Sequence, residues 1–187
     1  MILFINACVR ESSRTRRLAD VLLSRLHDQV QTVNLTAMEL PFLTEQAVNE
    51  RTEAAKVGDL AHPLCANAVQ FASADTIVIA APFWDLSFPA VLKRYLETVC
   101  VTGVTFRYSN EGIPIGMCRA KKLYYVTTAG GPLVKDFGFD YVKALATGFM
   151  GIEDCVCFSA ENLDIWGMDV EAIMAEAEQK IKAYFEE

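Results

Sequence analysis

The sequence contains only two histidines, His27 and His62, and its six cysteines form no C-x-x-C pair. Without those spacings neither a Cys/His zinc site nor an H-E-x-x-H helix can be assembled, so no metal is expected. Cations are in deficit, with 17 Lys and Arg against 24 Asp and Glu and a net charge of −7. Nucleic-acid affinity rests on cations that neutralise phosphates, so nucleic acid is not an expected partner. Two nucleotide signatures are missing as well. No G-x-x-x-x-G-K-[ST] occurs, which argues against a P-loop, and no G-x-G-x-x-G follows the first apolar run, which argues against a dinucleotide fingerprint. Met1 to Cys8 are apolar but lack a basic leader and are too few for a signal peptide or a membrane span. The expectation is a cytoplasmic protein without membrane contact. No repeat, low-complexity tract or linker interrupts the chain, so residues 1–187 are expected to form one domain.

What is present is apolar. At 187 residues the chain can bury a core without disulfides, and 52% of it is hydrophobic. That fraction requires a sheet covered on both faces, an apolar interface between subunits, or both. Cys8, Cys65, Cys100, Cys118, Cys155 and Cys157 then read as reduced, buried thiols that behave as small hydrophobes, with Cys155 and Cys157 on one face of a strand.

Runs suited to buried strands lie at Ile2 to Asn6, Gln31 to Leu35, Thr76 to Ala80, Leu123 to Thr127 and Cys155 to Ser159, with room for a helix between each pair. Helical spacing joins Leu18, Val21, Leu22 and Leu26, then Phe88, Val91, Leu92, Tyr95, Leu96 and Val99. It returns in Val170, Ile173, Met174, Ala177, Ile181, Tyr184 and Phe185. Ser87 is the expected cap of the middle helix, with Pro89 in its first turn. Residues 41–75 exceed one crossover. Gly58 and His62-Pro63 there predict a short helix that stops before a second begins near Pro63, an excursion expected to line the substrate pocket. The economical architecture is α/β: a doubly wound sheet of five parallel strands, order 2-1-3-4-5, with helices on both faces.

That order gathers three loops at the carboxyl edge. The first, Arg10-Glu11-Ser12-Ser13-Arg14-Thr15, offers helix-start N–H groups, the Ser13 and Thr15 hydroxyls, and guanidinium from Arg10 or Arg14, donors that suit a phosphate dianion. An ordinary Ser cap on a basic surface helix is the alternative. In the second, Pro82 restricts the backbone while Phe83, Trp84 and Leu86, with Asp85 among them, offer flat apolar surface of the kind that flanks an isoalloxazine ring. A hydrophobic turn capping the core is the competing explanation. In the third, Thr128-Ala129-Gly130-Gly131 allows close backbone approach to a planar ligand, or is a plain Gly-Gly turn. Together the loops point to a flavin mononucleotide.

Gly103-Val104-Thr105-Phe106-Arg107-Tyr108, preceded by Ala80-Ala81-Pro82 and a helix and followed by Thr127 to Gly131, resembles the FMN-dependent NADH-azoreductase and NAD(P)H quinone oxidoreductase family. The resemblance runs from the first strand through Gly148-Phe149-Met150-Gly151 and the strand after it, and is weakest over residues 36–62. It implies a flavodoxin-like homodimer with non-covalent FMN, NADH or NADPH as hydride donor, and a ping-pong cycle that reduces quinones or azo compounds. Carried over by position, Ser13, Arg14 and Thr15 hold the phosphate, Phe83 to Leu86 flank the ring, and Thr128 to Gly131 meet its pyrimidine side. Tyr108 and Phe106 sit by the substrate pocket or pack an interface.

The chain departs from the family pattern at Asp85, where azoreductases often have Asn, and at Ala129, where they often have Arg. Arg10 opens an R-x-x-S-x-T pattern that resembles related NADPH-dependent flavin reductases. Besides such a flavin reductase, two alternatives stay open: a flavodoxin that carries single electrons without catalysis, and a doubly wound scaffold without cofactor.

Overall fold

The computed structural model describes residues 1–135 and 137–186. Five parallel strands, β1 (Ile2–Asn6), β2 (Val30–Asn34), β3 (Thr76–Ala80), β6 (Lys122–Thr128) and β7 (Asp154–Ala160), form one sheet in the order β2-β1-β3-β6-β7. That is the expected 2-1-3-4-5 arrangement. The two missing numbers belong to a short antiparallel hairpin, β4 (Phe106–Tyr108) and β5 (Pro114–Gly116), which the apolar runs did not announce. The helices are α1 (Arg14–Leu23), α2 (Glu45–Lys56), α3 (Ala66–Ser73), α4 (Ala90–Val99), α5 (Phe139–Leu145) and α6 (Val170–Tyr184).

Strand alternation sorts the core into two layers, because successive side chains leave a strand on opposite faces. Ile2, Phe4, Val78, Ala80, Tyr124 and Val126 face one way and pack against Leu18 and Leu22 of α1 and Met174, Ala177 and Ile181 of α6. Leu3, Ile5, Ile77, Ile79, Leu123 and Tyr125 face the other way, against Phe71 of α3, Leu92, Tyr95, Leu96 and Val99 of α4 and Val142 of α5. Each fully buried large apolar side chain contributes roughly 1.5–3 kcal/mol of transfer free energy. Both faces of the sheet are therefore covered, which accounts for strands that read as continuous apolar runs.

Two local expectations change and a third holds. Ser87 does not cap α4; Pro89 holds the cap position, and Ser87 instead closes a turn with Trp84 through paired backbone bonds of 3.0 and 2.8 Å. Leu26 lies beyond the end of α1, though it still packs on the α1 layer. The 41–75 excursion contains the expected helix, stop and second helix, with Gly58 in the left-handed region at φ 76°. It packs over the end of α4, where the Arg51 guanidinium donates to the Glu97 carbonyl at 2.8 Å and Ala68 meets Val101 and Val104.

Candidate active site

The carboxyl ends of β1, β3 and β6 border one cleft of about 180 Å³. Parallel register aligns these ends: Asn6 pairs with Ala80, and Ala80 with Val126. The loops continue that alignment, since the Ala7 N–H donates to the Ala80 carbonyl at 2.8 Å, Ala81 to Val126 at 3.0 Å, and Phe83 to Thr128 at 3.0 Å. The chain thus stays in register with its neighbour for one residue or more past each strand end.

At one end of the cleft stands α1. Ser13 caps it, its hydroxyl accepting from the Arg16 N–H at 3.3 Å, which leaves the Arg14 and Thr15 N–H groups without an intrahelical acceptor. The first turn carries Arg14, Arg16 and Arg17 and no acid. Cations at a helix N-terminus oppose the macrodipole, and carboxylates from outside this turn offset each of them: Asp164, Asp20, and Glu171 with Glu178. Arg10 also lines the cleft and has no ion pair among the described residues. The buried Cys8 nearby is no thiolate: burial, first, raises its pKa, with the Ser13 hydroxyl and Arg16 pulling the other way.

Pro82, Phe83 and Trp84 form the opposite wall, with Trp84 40% exposed. Asp85 and Leu86 follow with φ of 50° and 67°, a left-handed pair inside the Trp84–Ser87 turn. Two consecutive non-glycine residues in this region store strain of the kind that gathers at functional sites. Neither residue lines the cleft; both stand at its outer rim, where Leu86 accepts from the Phe137 N–H at 3.1 Å.

Thr128, Ala129 and Gly130 make the floor, and Gly131 lies just outside it. The carbonyls of Ala129, Gly130 and Gly131 accept from Leu163, Asp164 and Asn162 at 3.2, 2.9 and 3.2 Å. This turns the carbonyls toward the loop after β7 and leaves the Gly130 and Gly131 N–H groups without a backbone acceptor among the described residues. Leu163 and Asp164 line the cleft too, and sequence reasoning missed both. Their signal was topological: every loop after a parallel strand emerges at the carboxyl edge.

Tyr108 and Phe106 are not cleft residues. Phe106 is only 6% exposed and packs edge-on against Phe149 at 5.1 Å and Tyr108 at 5.6 Å, so the structure puts it in the core rather than at a pocket wall, while Tyr108 is exposed. No residue of the 41–75 excursion lines the cleft either. Among the described residues no cluster of His, Cys, Asp and Glu is built to hold a metal, and no helix is long and apolar enough to cross a membrane.

A cleft bordered by three carboxyl-edge loops at the strand-order reversal of a doubly wound sheet is the mark of a flavodoxin-like protein, and residues 1–185 match the family described as flavodoxin-like fold. An FMN-dependent NADH:quinone oxidoreductase of Clostridium acetobutylicum is 37% identical, covering 97% of this chain and 96% of its own length. One from Clostridium beijerinckii is 35% identical, covering 95% and 92%. Among solved structures, an azoreductase from Bacillus anthracis matches with a TM-score of 0.83 at 24% identity, over 98% of this chain and 97% of that one. An FMN-dependent NADH-azoreductase of the same species, in complex with FMN, gives 0.78 at 21%, over 99% and 97%. The chain belongs to the family of flavodoxin-like FMN-dependent NADH:quinone oxidoreductases.

Proposed function

We propose that this protein binds FMN non-covalently and uses it to pass two electrons from NADH or NADPH to a quinone or an azo compound. When bound, FMN supplies a hydride-accepting N5, which donor and oxidant visit in turn in a ping-pong cycle. The residues present fit that group. Arg14 and Thr15 N–H groups at an acid-free helix start, with Arg10, Ser13 and Arg14 side chains, suit the phosphate. Pro82, Phe83 and Trp84, with Asp85 and Leu86 at the rim, suit one edge of the ring. Thr128, Ala129, Gly130 and Gly131 suit its pyrimidine side.

Each group has a task that needs no protein nucleophile. The Gly130 and Gly131 N–H groups, which have no backbone acceptor among the described residues, would stabilise negative charge on the reduced flavin as preorganised dipoles that require no reorientation. Trp84, which lines the cleft, would shield one side of the ring. A cleft of about 180 Å³ is smaller than the roughly 300–1,000 Å³ that encloses a small molecule, so a mononucleotide laid in it keeps a face open for the nicotinamide and then for the oxidant.

We also infer a cytoplasmic homodimer. Support for the dimer is the β4–β5 hairpin, where Tyr108, Ile113, Ile115 and, just past it, Met117 are all exposed, apolar surface suited to a second copy. Multi-angle scattering of the purified protein at twice the chain mass is the expected result.

The observation that carries the reading is the three-loop cleft with unclaimed N–H donors at both ends. An absorbance spectrum followed by anaerobic titration with NADH and NADPH tests it. A yellow protein bleached by one equivalent of donor, with steady turnover on menadione, is expected. A colourless protein that takes up no FMN refutes it, and a yellow protein without turnover makes it an electron carrier instead.

A further inference from the structure

The three arginines at the start of α1 do not share one fate. Arg16 turns to Asp20 at 2.7 Å, and Arg17 turns to Glu171 and Glu178, both at 2.7 Å, on the α6 side. Only Arg14 stays at the cleft. Its Nη1 donates to the Asp164 carboxylate at 2.8 Å and to the Leu163 carbonyl at 3.3 Å.

Asp164 is itself held. Its N–H donates to the Gly130 carbonyl at 2.9 Å, and its carboxyl group lies against the Gly130 Cα, where an added Cβ would stand 2.5 Å from Oδ2. Glycine at 130 therefore does more than admit a ligand. It makes room for a carboxylate.

An acid beside an anion site is an electrostatic penalty, so it needs a reason. Stability does not supply one: both partners are largely exposed, with 42% and 71% of their side chains accessible, and such pairs contribute about 0–1 kcal/mol. Geometry does. A guanidinium has five N–H donors in a rigid fork, and anchoring Nη1 leaves Nε and Nη2 to bond a second acceptor.

We propose that Asp164 is a positioning residue that holds the Arg14 guanidinium over the start of α1, and thereby makes the cleft select a phosphorylated flavin over its dephosphorylated form. This rests on the FMN reading above.

The test is titration of the full-length apoprotein with FMN and with riboflavin, followed by flavin fluorescence. Asp164→Ala is expected to weaken FMN by about tenfold, the scale of one lost charge-assisted hydrogen bond, and to leave riboflavin unchanged. Arg14→Ala moves FMN alone in the same direction, and the double variant is no worse than Arg14→Ala. The isosteric Asp164→Asn, which keeps an acceptor oxygen and the shape against Gly130, falls between wild type and Asp164→Ala. Equal weakening of both flavins would show a merely structural role and overturn the proposal. Unchanged or tighter FMN would show that the acid only repels phosphate, and overturns it too. A wild-type apoprotein that binds neither flavin removes the FMN reading, and this inference with it.

Discussion

The hydroxyls of Thr15 and Thr128 share a buried hydrogen bond of 2.6 Å although 113 residues separate them. Thr15 belongs to the first turn of α1 and Thr128 ends β6, so this bond ties the helix end of the cleft to its floor. Thr15→Val and Thr128→Val each leave one buried hydroxyl unpaired, at about 1–3 kcal/mol, whereas replacing both groups by shape-matched valines is close to neutral. Urea unfolding of the two single variants and the double variant checks this. A double variant as destabilised as the sum of the singles would deny the pairing.

Gly116 and Gly131 respond oppositely to the same change. A Cβ on Gly116 overlaps backbone atoms of Met150 and Gly151, which cannot yield as a side-chain tip can. Gly116→Ala should therefore cost at least about 1–3 kcal/mol by overpacking, and should loosen the β4–β5 hairpin from that backbone. Gly131 has open space around it and no positive φ, so Gly131→Ala should stay within about 0.5 kcal/mol. Paired thermal melts separate the two, and equal melting temperatures would contradict the packing described.

Burial favours the uncharged thiol. It pushes the Cys118 pKa up from 9.0 to about 12, and raises Cys8, Cys100 and Cys155 in the same direction. Above pH 9 the unfolded chain has released protons that the folded chain still holds, so stability is intact below that pH and falls as pH rises toward 12. Melting temperature should therefore drop between pH 8 and about pH 10, less steeply in Cys118→Ala. Native Cys118 should resist Ellman's reagent at pH 8, and rapid labelling there would show an open site.

Much of this architecture is legible in the sequence because buried parallel strands must be apolar at every position. Ile2 to Ile5 and Ile77 to Ile79 announce themselves for that reason. The hairpin does not: three residues a strand, one of them Pro114 and another Gly116, carry no period. Ser87 looked like a cap because Ser is a favoured N-cap residue and Pro89, two positions on, suits a first turn, but its backbone is committed to the turn with Trp84. Phe106, in the most recognisable motif of the chain, is buried against Phe149 and Tyr108, a packing that its aromatic character alone did not reveal. Asp164 was invisible because an acid in a loop has no distinguishing pattern until topology brings it beside Arg14 and Gly130.

Asp85 and Leu86 give the last prediction. An ionised carboxylate beside flavin N5 would oppose arriving negative charge, yet Asp85 stands outside the cleft lining, in a left-handed turn that short polar side chains tolerate. On the proposed FMN reading its carboxylate is then dispensable, and Asp85→Asn should leave FMN affinity within about twofold, less than the roughly 0.5 kcal/mol typical of surface changes. Leu86 lacks that tolerance: at φ 67° a branched apolar residue bears about 1–2 kcal/mol of strain. Leu86→Gly should relieve part of it and raise the melting temperature, while loosening the turn that presents Trp84 and so weakening flavin retention. If Leu86→Gly is less stable and binds FMN as tightly as before, the strain serves the fold and not the site.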